Sequence, residues 1–67
     1  MMRVQINGKD EEIDQGMTVA RLVGRFNLQP RHVAVEVNCD LVPRKVFDTT
    51  SLKEGDRVEI VTLVGGG

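Results

Sequence analysis

Val58-Glu59-Ile60-Val61-Thr62-Leu63-Val64 runs directly into Gly65-Gly66-Gly67, and the reading of these ten residues decides the fold. Only Glu59 among the first seven carries a charge, and the β-branched residues mark the run as a strand buried in a sheet. The glycines have no side chains to pack and lose the most freedom on ordering, so they add almost nothing to a core. The chain is therefore predicted to form a domain over residues 1–64 with a thin, flexible tail over 65–67 that ends in a free carboxylate.

Upstream, the same alphabet builds a small sheet and one helix. Met2, Val4 and Ile6 alternate with Arg3, Gln5 and Asn7, the period of a half-buried strand. Asn7-Gly8 marks a turn, and Lys9 to Asp14, polar apart from Ile13, reads as a short edge strand returning from it. Thr18 is placed as an N-cap, with Val19, Leu22, Val23 and Phe26 following on one helical face. Met17 and Leu22 are spaced for a hydrophobic staple, Arg21 and Arg25 fall on the wet side, and Pro30 closes the segment. Val33, Val35 and Val37 alternate with Ala34, Glu36 and Asn38 as a third strand. After the turn at Asn38-Cys39-Asp40, Leu41 to Arg44 reads as a brief edge piece, because Pro43 cannot donate to a ladder. Residues 45–54 are irregular, with Val46, Phe47 and Leu52 as core plugs, and Glu54-Gly55-Asp56 turns into the last strand.

The resulting order is β, β, α, β, short β, β. It predicts an α+β fold of the ubiquitin-like β-grasp type: a mixed sheet of four to five strands, one main helix on one face, and the last strand central beside the first. A sheet covered on one face leaves the other wet, yet Val61 and Leu63 stand on that other face. Either the loop around Val46 and Phe47 covers them, or they form a patch with Val64 on which a partner docks.

Composition narrows the function. The 67 residues make one domain, and at this size only about 60% of the unfolded surface is buried. Nine Lys+Arg against ten Asp+Glu, scattered, with no Trp or Tyr, give no support to nucleic acid or anionic membrane as partner. The single cysteine permits no internal disulfide, and no stretch is long and apolar enough for a signal peptide or a membrane span, so a cytoplasmic, soluble chain is expected.

Catalytic chemistry finds no seat. His32, the only histidine, follows a turn proline and reads as a solvated loop residue with no nucleophile spaced beside it. One Cys and one His cannot complete a usual zinc shell, and Asp10-Glu11-Glu12 lacks the alternation and glycine of a calcium loop. Gly8-Lys9 is not a phosphate-binding loop. Cys39 sits in a turn beside Asp40 rather than in the positive surroundings of a reactive thiol, and reads as inert. No catalytic residue, metal or bound cofactor is expected.

Taken in order, Ala34-Val35-Glu36-Val37-Asn38, Leu41-Val42-Pro43-Arg44, Leu52 to Val61 and the terminal glycines resemble the sulfur carriers of thiamin biosynthesis, the ThiS family, over essentially the whole chain. Cys39 departs from the glycine that the family often has in an Asn-Gly turn, which leaves the turn type open. The resemblance implies a cosubstrate and not an enzyme. An E1-like adenylating partner would activate the Gly67 carboxylate with ATP and Mg, and a sulfur donor such as a cysteine desulfurase would convert it to a thiocarboxylate. Thiazole synthase would then take the sulfur for the thiazole ring. Gly65 and Gly66 would thread the partners' active sites, and the free carrier would be a monomer. Alternatives are another β-grasp carrier, like the small subunit of molybdopterin synthase, a ubiquitin-like protein modifier, or a plain interaction module with an idle tail.

Overall fold

The computed structural model describes residues 1–63. Five strands form one mixed sheet in the order β2-β1-β5-β3-β4, with β1 at Met2–Ile6, β2 at Lys9–Ile13, β3 at Val33–Val37, β4 at Asp40–Leu41 and β5 at Arg57–Thr62. The last strand is central, as its composition requires: β5 lies parallel to β1 and antiparallel to β3. One helix, α1 at Val19–Arg25, packs on one face. This is the predicted β-grasp arrangement.

Alternation decides which side chains meet the helix. Met2, Val4 and Ile6 from β1, Val33 and Val35 from β3, and Val58 and Ile60 from β5 are buried with Val19, Leu22 and Val23 of α1 in one cluster. Ile13, the lone apolar residue of the polar returning strand, is fully buried too, which fixes the register of β2. No polar or charged residue is buried among the described ones.

Local rules set the helix ends. The Thr18 hydroxyl accepts from the Arg21 N–H at 3.2 Å, and Met17 and Leu22 are both buried, as the cap and staple require. At the far end the helix stops one residue before Phe26. Asn27 takes φ 61, its N–H donates to the Gly24 carbonyl, and the Leu28 N–H donates to the Val23 carbonyl. These are the two bonds of a Schellman turn with Asn in the left-handed position, ending the helix before Pro30 is reached. Phe26 consequently leaves the buried stripe and is 42% exposed.

Several boundaries differ from those read in the sequence. The last strand ends at Thr62, so Leu63 lies just past it, and Val64–Gly67 lie outside the described residues, as does the predicted boundary between 64 and 65. Pro30–His32 and Arg44–Val46 are 3₁₀ turns, so the edge piece shortens to Asp40–Leu41 and Arg44 is no part of a strand. Arg44 ties the two turns together, donating from Nε to the Pro30 carbonyl at 2.9 Å and from Nη2 to the Arg31 carbonyl at 3.4 Å. Of the three expected plugs, Phe47 and Leu52 are buried and Val46 only partly.

Both hairpins turn on two residues with positive φ, Asn7-Gly8 (51° and 84°) and Asn38-Cys39 (53° and 73°). Such pairs make type I′ turns, whose twist matches the flanking strands. Cys39 thus occupies the second position, which glycine adopts freely and a residue with a Cβ adopts at a cost of about 1–2 kcal/mol. Cys39→Gly is expected to raise the midpoint of thermal unfolding by several degrees, since about 1 kcal/mol shifts a domain of this size by ~4–8 °C. A melting curve for C39G that falls at or below the wild-type midpoint would count against the turn assignment.

Candidate functional site

The parity of the β3–β5 ladder governs the end of β5. The Asn38 N–H donates to the Arg57 carbonyl at 2.7 Å and the Leu63 N–H to the His32 carbonyl at 2.8 Å, so the odd-numbered residues of β5 bond toward β3. The even-numbered ones direct their peptide groups toward β1. There Val58 is met by the Asn7 N–H at 2.9 Å, but β1 then turns away at Asn7-Gly8. The Asn7 side chain takes over the missing strand: its Oδ1 accepts from the Ile60 N–H at 2.8 Å and its Nδ2 donates to the Ile60 carbonyl at 3.2 Å. A side-chain amide carries the same donor and acceptor as a peptide group, which is why Asn serves here.

Removing that amide exposes two partly buried backbone groups at once. Asn7→Ala is expected to cost about 1–3 kcal/mol, the penalty for unsatisfied buried groups, and to speed hydrogen exchange selectively at Ile60. Exchange at Ile60 unchanged in N7A would refute the clamp.

Val61 and Leu63 fall on the sheet face away from α1 and are 56% and 47% exposed. The expectation that the loop around Val46 and Phe47 covers them is not met. Phe47 is buried in the core, and its carbonyl accepts from Ala20 in the helix on the opposite side of the sheet. Ala34 lies across the ladder from Val61 and carries the apolar surface onto β3, where Glu36, opposite Glu59 on one side and the exposed Leu41 on the other, bounds it with charge. Val64, Gly65, Gly66 and Gly67, the remaining predicted site residues, lie outside the described residues.

On the helix side of the same end is an open groove of about 530 Å³, with Ile6 and Ile60 toward the core, Phe26 and Leu28 from the Schellman turn on one wall, Lys9 and Glu11 of β2 among its polar lining, and Thr62 at its lip. Sequence reading missed both this groove and the Asn7 clamp. The Asn-Gly pair signals a turn, and nothing in it tells that the asparagine side chain also reaches a strand more than fifty residues away. His32 and Cys39 occupy opposite ends of β3, one before Val33 and the other in the turn after Val37, so the fold does not bring them together. Among the described residues no group of three His, Cys, Asp or Glu side chains is placed to hold a metal ion.

The model of the ThiS family matches residues 4–67. This chain belongs to the ThiS family. It is 35% identical to the sulfur carrier protein ThiS of Bacillus subtilis, covering 96% of this chain and 98% of that one. The crystal structure of the thiamine biosynthesis protein ThiS from Geobacter metallireducens superposes with a TM-score of 0.83 at 35% identity, covering 98% of this chain and all of that one. The chain is also 38% identical over 66 residues to a thiazole synthase of Paramagnetospirillum magneticum, of whose length it spans a fifth. ThiS proteins are small sulfur carriers of thiamine biosynthesis.

Proposed function

We propose that this chain carries sulfur on the carboxylate of Gly67 for formation of the thiazole ring of thiamin. A carboxylate is a poor electrophile. An E1-like partner with ATP and Mg joins it to AMP, releasing pyrophosphate. The persulfide of a donor such as a cysteine desulfurase then displaces AMP through its outer sulfur. A thiol reduces the resulting acyl disulfide and takes up the donor cysteine's sulfur in a new disulfide, and the thiocarboxylate left behind is consumed by thiazole synthase. The carrier is a soluble cytoplasmic monomer between encounters and supplies no catalytic group of its own. Gly65 and Gly66 keep the arm thin enough to enter two different active sites, and Val61, Leu63 and Val64 seat it against each partner.

The observation that carries this reading is the near-complete correspondence, along both lengths, with a protein named as a sulfur carrier. Thiazole synthase as the receiving partner draws support from the relative of that name in which a segment like this chain accounts for a fifth of the length. Intact mass tests the reading. After incubation with the adenylating partner, ATP and a sulfur source, the chain is expected to gain the mass difference between sulfur and oxygen, once, on the terminal residue. An unchanged mass, or a covalent adduct to lysines of other proteins, would refute it.

A further inference from the structure

Thr62 is left with an open edge. Its N–H and carbonyl point, by ladder parity, to the β1 side, where the clamp ends at Ile60, and no described residue meets them. Beside these two groups runs the groove with Phe26 and Leu28 on its helix wall. A peptide edge next to a groove with one apolar wall is an arrangement into which an extended strand adds: main-chain bonds supply affinity and alternate side chains fill the pocket.

The tail's length says what arrives there. Resting on the proposed sulfur chemistry, Gly67 must reach a partner's active site, and the four residues from 64 to 67 span at most about 14 Å when extended. A site that takes in Gly67 therefore brings its own surface against Leu63 and Thr62, at the lip of the groove. We infer that thiazole synthase, on receiving Gly67, lays an extended segment against the β1-facing edge of β5 at Thr62, and sets an apolar side chain between Phe26 and Leu28. This contact lies on the helix side of the sheet and is distinct from the Val61 and Leu63 patch on the opposite face. The Asn7 clamp sets where the added strand starts, because it closes the edge at Ile60 and leaves it open one pair later.

The edge allows a selective test with the full chain and thiazole synthase as the probe, without ATP. Thr62→Pro deletes an N–H that the β3 ladder does not use, and the ring projects into the space of the added strand, so the internal sheet survives. Phe26→Gln empties the groove wall without touching the backbone and decides alone if the proline variant fails to fold. Each is expected to weaken binding by about tenfold or more, with amide spectra of the free domain otherwise preserved. In the wild type the amide signals of Thr62, Lys9 and Leu28 should shift on titration. If the wild type binds and both folded variants bind equally well, the groove is overturned and the sulfur reading stands. Loss of binding in Val61→Asp alone would place docking on the open sheet face. A wild type that does not bind thiazole synthase overturns the partner reading and this inference together.

Discussion

Gly66→Val, or one residue added after Gly67, is expected to abolish ATP-dependent adenylation while leaving thermal unfolding unchanged. The physical reason is width and reach. On the proposed chemistry, a valine at 66 would put a branched side chain where the arm has to enter an active site that accepts a bare backbone, and it would confine φ and ψ that glycine leaves free. An added residue moves the reacting carboxylate by up to about 3.5 Å, whereas a misplacement of about 1 Å in a positioned reaction can cost on the order of a hundredfold in rate. Both changes lie beyond Val58 and Ile60, the last members of the core among the described residues, so neither is expected to bear on stability. The measurement is pyrophosphate release on the adenylating partner, paired with a melting curve. Wild-type release by either variant would sink the assignment of Gly67 as the reacting residue. A lowered melting point would show that the tail belongs to the fold.

Much of this molecule is legible in its sequence where one physical rule acts alone. Burial of alternate residues places β1, β3 and β5, and the cap and staple at Met17, Thr18 and Leu22 place the start of α1. Rules compete at the other places. The 3.6-residue spacing puts Phe26 on the buried face, but Asn27 adopts the left-handed conformation and ends the helix first, so the Schellman turn carries Phe26 out to the groove. Pro43 correctly limits its segment to an edge, yet Arg44 leaves it to bind carbonyls of the Pro30–His32 turn, a long-range contact that no local pattern encodes. The patch at Val61 and Leu63 was legible as apolar residues on a wet face, and only the placement of Phe47 decides that nothing in the described chain covers it. The open edge at Thr62 depends on where β1 stops relative to β5, which is a matter of register between segments far apart in the chain.

Leu22→Ala is expected to be the most damaging single change within the domain. Leu22 is fully buried and sits at the fourth position of α1, where the staple to Met17 and the packing onto the sheet coincide. Truncating a buried leucine removes transfer energy and leaves a cavity, about 2–5 kcal/mol together. A domain of this size holds roughly 3–10 kcal/mol in total, so the loss approaches the whole. The short helix cannot absorb it, because seven residues are too few to be stable without their tertiary contacts. Urea unfolding is expected to show a midpoint far below wild type or no cooperative transition, whereas Leu22→Met, which nearly conserves volume, should cost less than about 1.5 kcal/mol. A midpoint for L22A within error of wild type would mean that α1 does not rest on the sheet through this residue. The consequence for function differs in kind from that of the tail variants. Gly66→Val leaves a folded partner surface with an arm that cannot react, whereas Leu22→Ala leaves an intact arm on a chain whose Schellman turn no longer holds Phe26 and Leu28 in place. Docking should therefore fail in L22A in proportion to the unfolded fraction, and recover when a stabilising osmolyte restores the fold.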